Sequence, residues 1–425
     1  MLNRLQLQSF KSFSNASLHL GPFTVVVGTN ASGKSNIRDA FRFLHGVGRG
    51  YSLAEIIGGR YGAGGGQAEW AQLRGAANEI VKFGDKRFSF DLDLTLAKRK
   101  YTYSICVDID ERTRSGFRVS KEELRRYHSP VFTSHPGGSD PVERQDDEAH
   151  LLIRMEKTAD QRKYGDRVAV RHDQPALTQI DEFQRVSKGL KDICRMVTQH
   201  LASMRFLDLV PEQMRRPAFP GQAVLGDNGE NLPTVLQDIC ADDARRRVLA
   251  DWVRELTPMD VADFEFPRDQ VTGLIQLVLR QEDGTKVSAY SASDGTLRFL
   301  AMLTALLGKE PASLYFFEEI DNGIHPSRMR LLLDLIEGQA EKSGIQVVTT
   351  THSPDLLTMV GDNTFNSTSV VYRLAGSPGA GIVRVSEIPS AAEMRREQGL
   401  GRLHSSGWLE DAILFTRAGE DVVAA

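Results

Sequence analysis

The segment Gly28-Thr29-Asn30-Ala31-Ser32-Gly33-Lys34-Ser35 decides how this chain is read. It fits the pattern GxxxxGK[ST] and sits between an apolar run, FTVVVG at 23–28, and a stretch with helical periodicity. In that setting the glycines let backbone N–H groups curl around phosphate oxygens, and the following helix turns its positive end toward them. Lys34 would reach the outer phosphates, and the Ser35 hydroxyl would ligate magnesium. The expected nucleotide contacts are therefore Gly28, Asn30, Ala31, Ser32, Gly33, Lys34, Ser35 and Asn36. A chance glycine turn ahead of a helix is the plainer alternative, and the flanking strand and helix speak against it.

A phosphate cradle of this kind needs an acid near the magnesium and a group that orients the attacking water. The run LYFFEEID at 314–321 supplies both: Glu318 stands at the end of an apolar strand, and Glu319 follows where a general base would act. Read alone, the acidic pair could equally open a helix or a solvated loop. After the next apolar strand, IQVVTT, comes Thr351-His352-Ser353-Pro354, whose histidine is placed to hydrogen-bond a γ-phosphate. Upstream, Ser291-Ala292-Ser293-Asp294-Gly295-Thr296 opens the apolar helix LRFLAMLTALL. A serine there caps the helix. Ser293, Asp294 and Gly295 at a helix N-terminus also make a second phosphate site. One nucleotide has no use for two γ-phosphate cradles in one subunit, so the second cradle is expected to serve a nucleotide on a partner copy.

The 425 residues, 41% of them hydrophobic, can build a large core and more than one domain. The formal charge of -4 gives no overall basic field for nucleic acid, so such contacts would need a local patch. Lys98, Arg99 and Lys100 form one basic cluster and Arg245, Arg246 and Arg247 another; both are as readily explained as solvated surface. Cys106, Cys194 and Cys240 lack the close spacing of zinc or redox motifs and read as reduced, buried thiols. MLNRLQLQSFKSF has no signal-peptide core and no run reaches about eighteen apolar residues, so a cytoplasmic location without a membrane partner is expected.

Four segments are expected. Residues 1–110 form a lobe with the P-loop and an antiparallel hairpin, FSFDLDLTLAKRKYTYSICVDI at 88–109, and residues 111–260 form a mostly helical insertion with a polar loop at 133–149. Residues 261–375 return to alternating strand and helix, and 376–425 form a tail. The parallel strand-helix-strand unit at 313–350 makes the fold class α/β with a mixed sheet. The tail, with GLGRLHSSGWLED, is read as either a docking segment or core packing.

The order of P-loop, ASDGT, FFEEID and THSP resembles the ABC-type ATPases of the SMC, RecF and OLD group, the AAA-family ATPases of abortive-infection type. LQSFKSF followed by GTNASGKSN looks like that group's start, FEEIDNGIHPSRM is similar to its acidic motif, and THSPDLL to its switch histidine. The resemblance covers roughly residues 1–110 and 260–375, and reaches 111–260 only through LDLVPEQ and DNGENLPTVLQDI. It implies an ABC-ATPase-like head binding ATP and Mg2+, with Glu319 as catalytic base, Glu318 on the magnesium and His352 as γ-phosphate sensor. It also implies that Ser293 and Gly295 act in trans within a homodimer. Ala31 replaces a common glycine, Glu318 replaces the usual aspartate, and ASDGT replaces LSGGQ, which resembles the OLD-like branch more than the transporter branch. Gln67 and Gln72 are candidates for the group's magnesium-side glutamine. No Toprim nuclease pattern follows His352, so a separately encoded effector such as a nuclease is the expected partner of a defence or toxin-antitoxin-like ATPase. A RecF-like repair ATPase acting on DNA is the alternative, and a transporter subunit the third.

Overall fold

The computed structural model describes residues 1–62, 68–113, 115–134, 150–156, 167–257, 259–373 and 379–423. Gln67 and most of the 133–149 loop lie outside them. The chain forms two compact units: Met1–Gly21, Val27–Met204 and Ser369–Glu387 make the first, while Pro22–Val26, Arg205–Thr368 and Ile388–Ala425 make the second.

The first unit is built on a broad sheet. From one edge its strands run Arg167–Arg171, His150–Met155, Ser129–Thr133, Phe117–Arg126, Arg99–Ile109, Arg87–Leu96, Leu2–Phe10, Phe13–His19, Ala380–Arg384 and Thr368–Arg373. Neighbours are antiparallel except for Ala380–Arg384 beside Phe13–His19. The hairpin expected at 88–109 is present, closed by Ala97 (φ 46°) and Lys98 (φ 62°). Two left-handed residues match the twist of the flanking strands, although neither is glycine. Strict alternation buries one face, where Phe88 and Phe90 meet Phe43 of the helix Lys34–Gly48 at ring distances of 5.4 and 5.1 Å, and Phe10 packs on the same two rings at 5.6 and 4.9 Å. Aromatic packing thus fixes the helix that leaves the P-loop.

The stretch 111–260 divides in two. Its second part is helical, with Lys188–Ala202, Leu232–Cys240 and Asp243–Leu256 as its longest helices, but its first part forms the four outer strands between Phe117 and Arg171 rather than helix. The charged strand FRVSKEELRR hides its period because it carries a buried glutamate. Glu122 is fully buried and accepts hydrogen bonds from the N–H groups of Ala176 (2.6 Å) and Leu177 (2.8 Å) and from the Tyr103 hydroxyl (3.0 Å). Burial pushes its carboxyl up to about 7 against the pull of these donors. A raised folded-state value means the folded chain holds the proton more tightly, so the stabilisation is complete at acid pH and is lost as pH rises through about 7. Urea midpoints measured from pH 5 to 8 are expected to fall for the native chain by the equivalent of roughly 2–3 kcal/mol relative to Glu122→Gln, which cannot titrate. Parallel profiles for the two proteins would contradict this.

In the second unit four strands lie in the order Phe23–Val27, Gln346–Thr351, Leu314–Phe317 and Arg205–Leu207, with the last three parallel. All residues of Leu314–Phe317 and Gln346–Thr351 are buried, as expected of strands covered on both faces. The helix Pro326–Ser343 connects them, as expected for the parallel unit. A three-stranded antiparallel sheet, Val261–Glu265, Val278–Gln281 and Lys286–Ser288, precedes the helix Asp294–Leu307, which packs on Leu232–Cys240 and Asp243–Leu256. In the tail, Leu403 and Leu409 are buried, and Leu400–Ser405 packs on Pro354–Met359, the helix after His352. Gly401 makes that approach close, since a Cβ there would lie 2.0 Å from the Pro354 carbonyl oxygen. This part of the tail is packed within the second unit.

Candidate nucleotide site

The P-loop belongs to the first unit. The strand Phe23–Val27 delivers the chain into Gly28, whose φ is 155° and where a Cβ would stand 2.2 Å from the Val371 carbonyl oxygen. Only a glycine passes there. Gly33 has φ 116° and presses on the Ser12 side chain, with Oγ 2.9 Å from where a Cβ would be. Ser12 in turn accepts a hydrogen bond from Asn36 Nδ2 at 2.7 Å. The turn between the first two strands therefore braces the loop, a contact that sequence spacing did not suggest. Ala31 holds φ 63°, the left-handed conformation in which glycine is unstrained, so the departure from glycine carries backbone strain.

The cradle fits an anionic ligand on three counts. The helix Lys34–Gly48 starts at Gly33 with no side-chain cap and no acidic residue in its first turn, which leaves its positive end open. Among the described residues Ser32 Oγ is buried without a hydrogen-bond partner. Lys34 Nζ is folded back onto the carbonyls of Gly28 (2.7 Å) and Thr29 (2.8 Å), at the loop it would need to bridge to phosphate. Thr29, Asn30, Ala31 and Ser35 are exposed at its mouth.

The acidic, switch and signature segments belong to the second unit. Glu318 is half-buried at the end of its strand, and Glu319 beside it is exposed. Glu319 has φ 49°, and its N–H donates to Thr350 Oγ1 at 3.3 Å across to the neighbouring parallel strand. Thr351 Oγ1 donates to Asp321 Oδ1 at 2.7 Å. These two bonds fasten the acidic loop to the strand end from which His352 projects, half-buried. Glu318, Glu319 and His352 are thus brought to the same end of two paired strands. Thr350 and Asp321 do the fastening, and neither carries a motif signal of its own in the sequence.

Ser293 caps the helix Asp294–Leu307, with Oγ accepting from Thr296 N at 3.2 Å and lying 2.8 Å from Thr296 Oγ1. The capping role is therefore realised. Asp294 is exposed at the helix start. Gly295 is in contact with the acidic loop: a Cβ on it would be 2.2 Å from the Gly323 carbonyl oxygen. A cavity of about 310 Å³ opens here, lined by Ser293, Gly295, Thr296, Gly323, His325, Ser327 and Arg328 among others. Arg328 Nη1 donates to the carbonyls of Glu255 (2.6 Å) and Thr257 (2.5 Å), neutral groups that leave its charge uncancelled by these bonds.

Elsewhere, Gln72 is exposed. Lys98, Arg99 and Lys100 are exposed at the hairpin turn, whereas Arg246 is bound to Asp263 and the Phe264 carbonyl, and Arg245 and Arg247 donate to the carbonyls of Leu307 and Asp243. That second cluster is taken up largely in internal bonds. Among the described residues no helix is long and apolar enough to cross a membrane.

The fold and the cradle define a P-loop nucleotide-binding protein of the ATPase class. The family model described as "AAA domain, putative AbiEii toxin, Type IV TA system" matches residues 23–358, and the chain belongs to that family. It is 41% identical over 81 residues to the DNA replication and repair protein RecF of Allorhizobium ampelinum, covering 19% of this chain and 21% of that protein. The chain thus spans about a fifth of that relative's length. Similar solved structures include the SMC head domain from Thermotoga maritima, with 14% identity, TM-score 0.45 and coverage of 90% of this chain and 98% of that one. Another is an SMC head bound to the C-winged helix domain of ScpA, with 14% identity, TM-score 0.48 and coverage of 90% and 96%.

Proposed function

We propose that the chain binds ATP with magnesium on Gly28–Asn36 and hydrolyses it as an ATP-gated homodimer, controlling a separately encoded effector, such as a nuclease, in a bacterial defence or toxin-antitoxin-like system. The observation that carries the nucleotide reading is the uncapped, acid-free helix end beside an unpartnered Ser32 hydroxyl and the retracted Lys34. In this reading Ser35 and Glu318 hold the magnesium, Glu319 is the base, and His352 contacts the γ-phosphate. Bound magnesium would neutralise charge on the β- and γ-phosphates. Ser293 and Gly295 would complete the site of a second copy, with Asp294 between them. The toxin-antitoxin wording of the family supports the defence setting.

The composite site is tested by mixing. Lys34→Ala removes the cradle's cation, and Ser293→Ala removes the signature hydroxyl. Each alone is expected to hydrolyse poorly, whereas a mixture can assemble one intact composite site and recover part of the turnover. ATP should also raise the native mass to that of an even oligomer. No recovery in the mixture together with an unchanged mass would end the dimer reading, and undiminished ATP binding by Lys34→Ala would end the cradle assignment.

The RecF similarity favours a second reading, in which DNA is the partner. Duplex DNA that stimulates turnover in a salt-sensitive way, without any copurifying effector, would select it.

A further inference from the structure

The signature helix carries a charge that its proposed role does not want. Asp294 is the first residue of the helix, between Ser293 and Gly295, and its side chain is 67% exposed. A carboxylate in the first turn offsets the positive end of the helix and repels an approaching phosphate. The structure answers that charge with Arg215. Its side chain is only 14% exposed, and Nη2 donates both to Asp294 Oδ1 at 2.5 Å and to the Ala292 carbonyl at 3.1 Å. Nη1 donates to Glu212 Oε1 at 3.0 Å, a carboxylate that is 81% exposed and three residues away. Solvent screens both carboxylates, and the Asp294 contact is the shorter of the two and is joined by the Ala292 carbonyl on the same nitrogen.

We infer that Arg215 is a positioning residue of the signature: by holding the Asp294 carboxylate and the Ala292 carbonyl on either side of Ser293, it keeps the helix end receptive to the triphosphate of a nucleotide carried by a second copy. This rests on the composite-site reading above. Arg215 ties the residue before Ser293 and the residue after it through a single nitrogen, Nη2, while its other arm, Nη1, faces Glu212. It arrives on the short helix Pro211–Met214 and the residue that follows, packed against Asp294–Leu307. Once Asp294 is paired, Arg328, which donates to the carbonyls of Glu255 and Thr257, stands as the cationic wall of the cavity beside Ser293. The local field then favours an anion.

The alternative is that Arg215 only ties two surface elements together. Charge rescue separates the two. ATP-driven dimerisation of the full chain is measured by sedimentation in the presence of magnesium for the native protein, Arg215→Ala, Arg215→Lys and the double variant Arg215→Ala with Asp294→Asn. Arg215→Ala is expected to weaken the ATP-dependent dimer about tenfold or more, and the double variant to recover most of that loss, because the repulsive charge is gone. Added salt should shrink the Arg215→Ala defect, since repulsion is screened over about 10 Å at 0.1 M ionic strength. Arg215→Lys should fall between the native protein and Arg215→Ala. The double variant retains the same truncated side chain, so a packing or folding defect would persist in it. A double variant as weak as Arg215→Ala, or an Arg215→Ala protein that dimerises like the native one, overturns the inference about Arg215 alone. A native protein that does not dimerise with ATP overturns the composite-site reading, and this inference with it.

Discussion

Glu319→Gln is expected to lower ATP turnover by about 10²–10⁴-fold while ATP stays bound, the span that a positioned general base contributes. The substitution keeps the size and shape of the side chain and removes only its ability to take a proton. The backbone of this loop should also persist, because it is held by main-chain groups that do not depend on the carboxylate. Glu319 N–H reaches Thr350 Oγ1, Glu319 C=O accepts from Asn322 N at 2.9 Å, and Asp321 C=O accepts from Ile324 N at 3.0 Å. Glu319 sits at φ 49°, where a side-chain-bearing residue pays a backbone cost that glycine avoids. Backbone strain at an exposed acid is consistent with the role proposed for Glu319. Phosphate release measured alongside retained nucleotide would separate loss of chemistry from loss of binding. Turnover at the native rate would remove Glu319 from the mechanism and leave Glu318 as the remaining carboxylate of the pair.

Much of this arrangement was legible in the sequence because it is written in local chemistry. FTVVV can only be a covered strand, and two glycines spaced around Ser32 with a lysine after them name the loop. The parallel unit was equally plain, since LYFF and QVVTTT are buried throughout and the helix between them is long. The strand Phe117–Arg126 was not legible. Lys121, Glu122, Glu123 and Arg125 break the contrast on which a period of two depends, and Glu122 points into the core, where its partners are backbone N–H groups more than fifty residues away. Distance in sequence also hid Ser12 beneath the P-loop and Arg215 on the signature, 24 and 79 residues from their partners Asn36 and Asp294. Gly295 shows a further limit of local reading. A glycine at a helix start suggests room for phosphate, whereas the neighbour it makes room for in this chain is the Gly323 carbonyl.

That contact gives the other large effect. Gly295→Ala would set a Cβ 2.2 Å from the Gly323 carbonyl oxygen and 3.2 Å from its carbon, so one backbone or the other must move. The signature helix has little freedom to retreat, because Leu297, Phe299, Leu300 and Leu303 bury its body in the core. The acidic loop has to yield instead, and it is pinned at Asp321 by Thr351 and at Glu319 by Thr350. Overpacking of this kind costs about 1–3 kcal/mol, and the cost falls on the loop that orients Glu319. Turnover is therefore expected to drop by about tenfold or more, with a lowered melting temperature and ATP still bound to the P-loop of the other unit. Gly338→Ala is the matched control. Gly338 lies inside the helix Pro326–Ser343 with nothing within 4 Å of the added Cβ, so the same substitution there should stabilise the chain by about 0.5–1 kcal/mol and leave turnover alone. If Gly295→Ala matched Gly338→Ala in both melting and turnover, the loop would be soft, and the Gly295–Gly323 contact could not be what holds Glu319 in place.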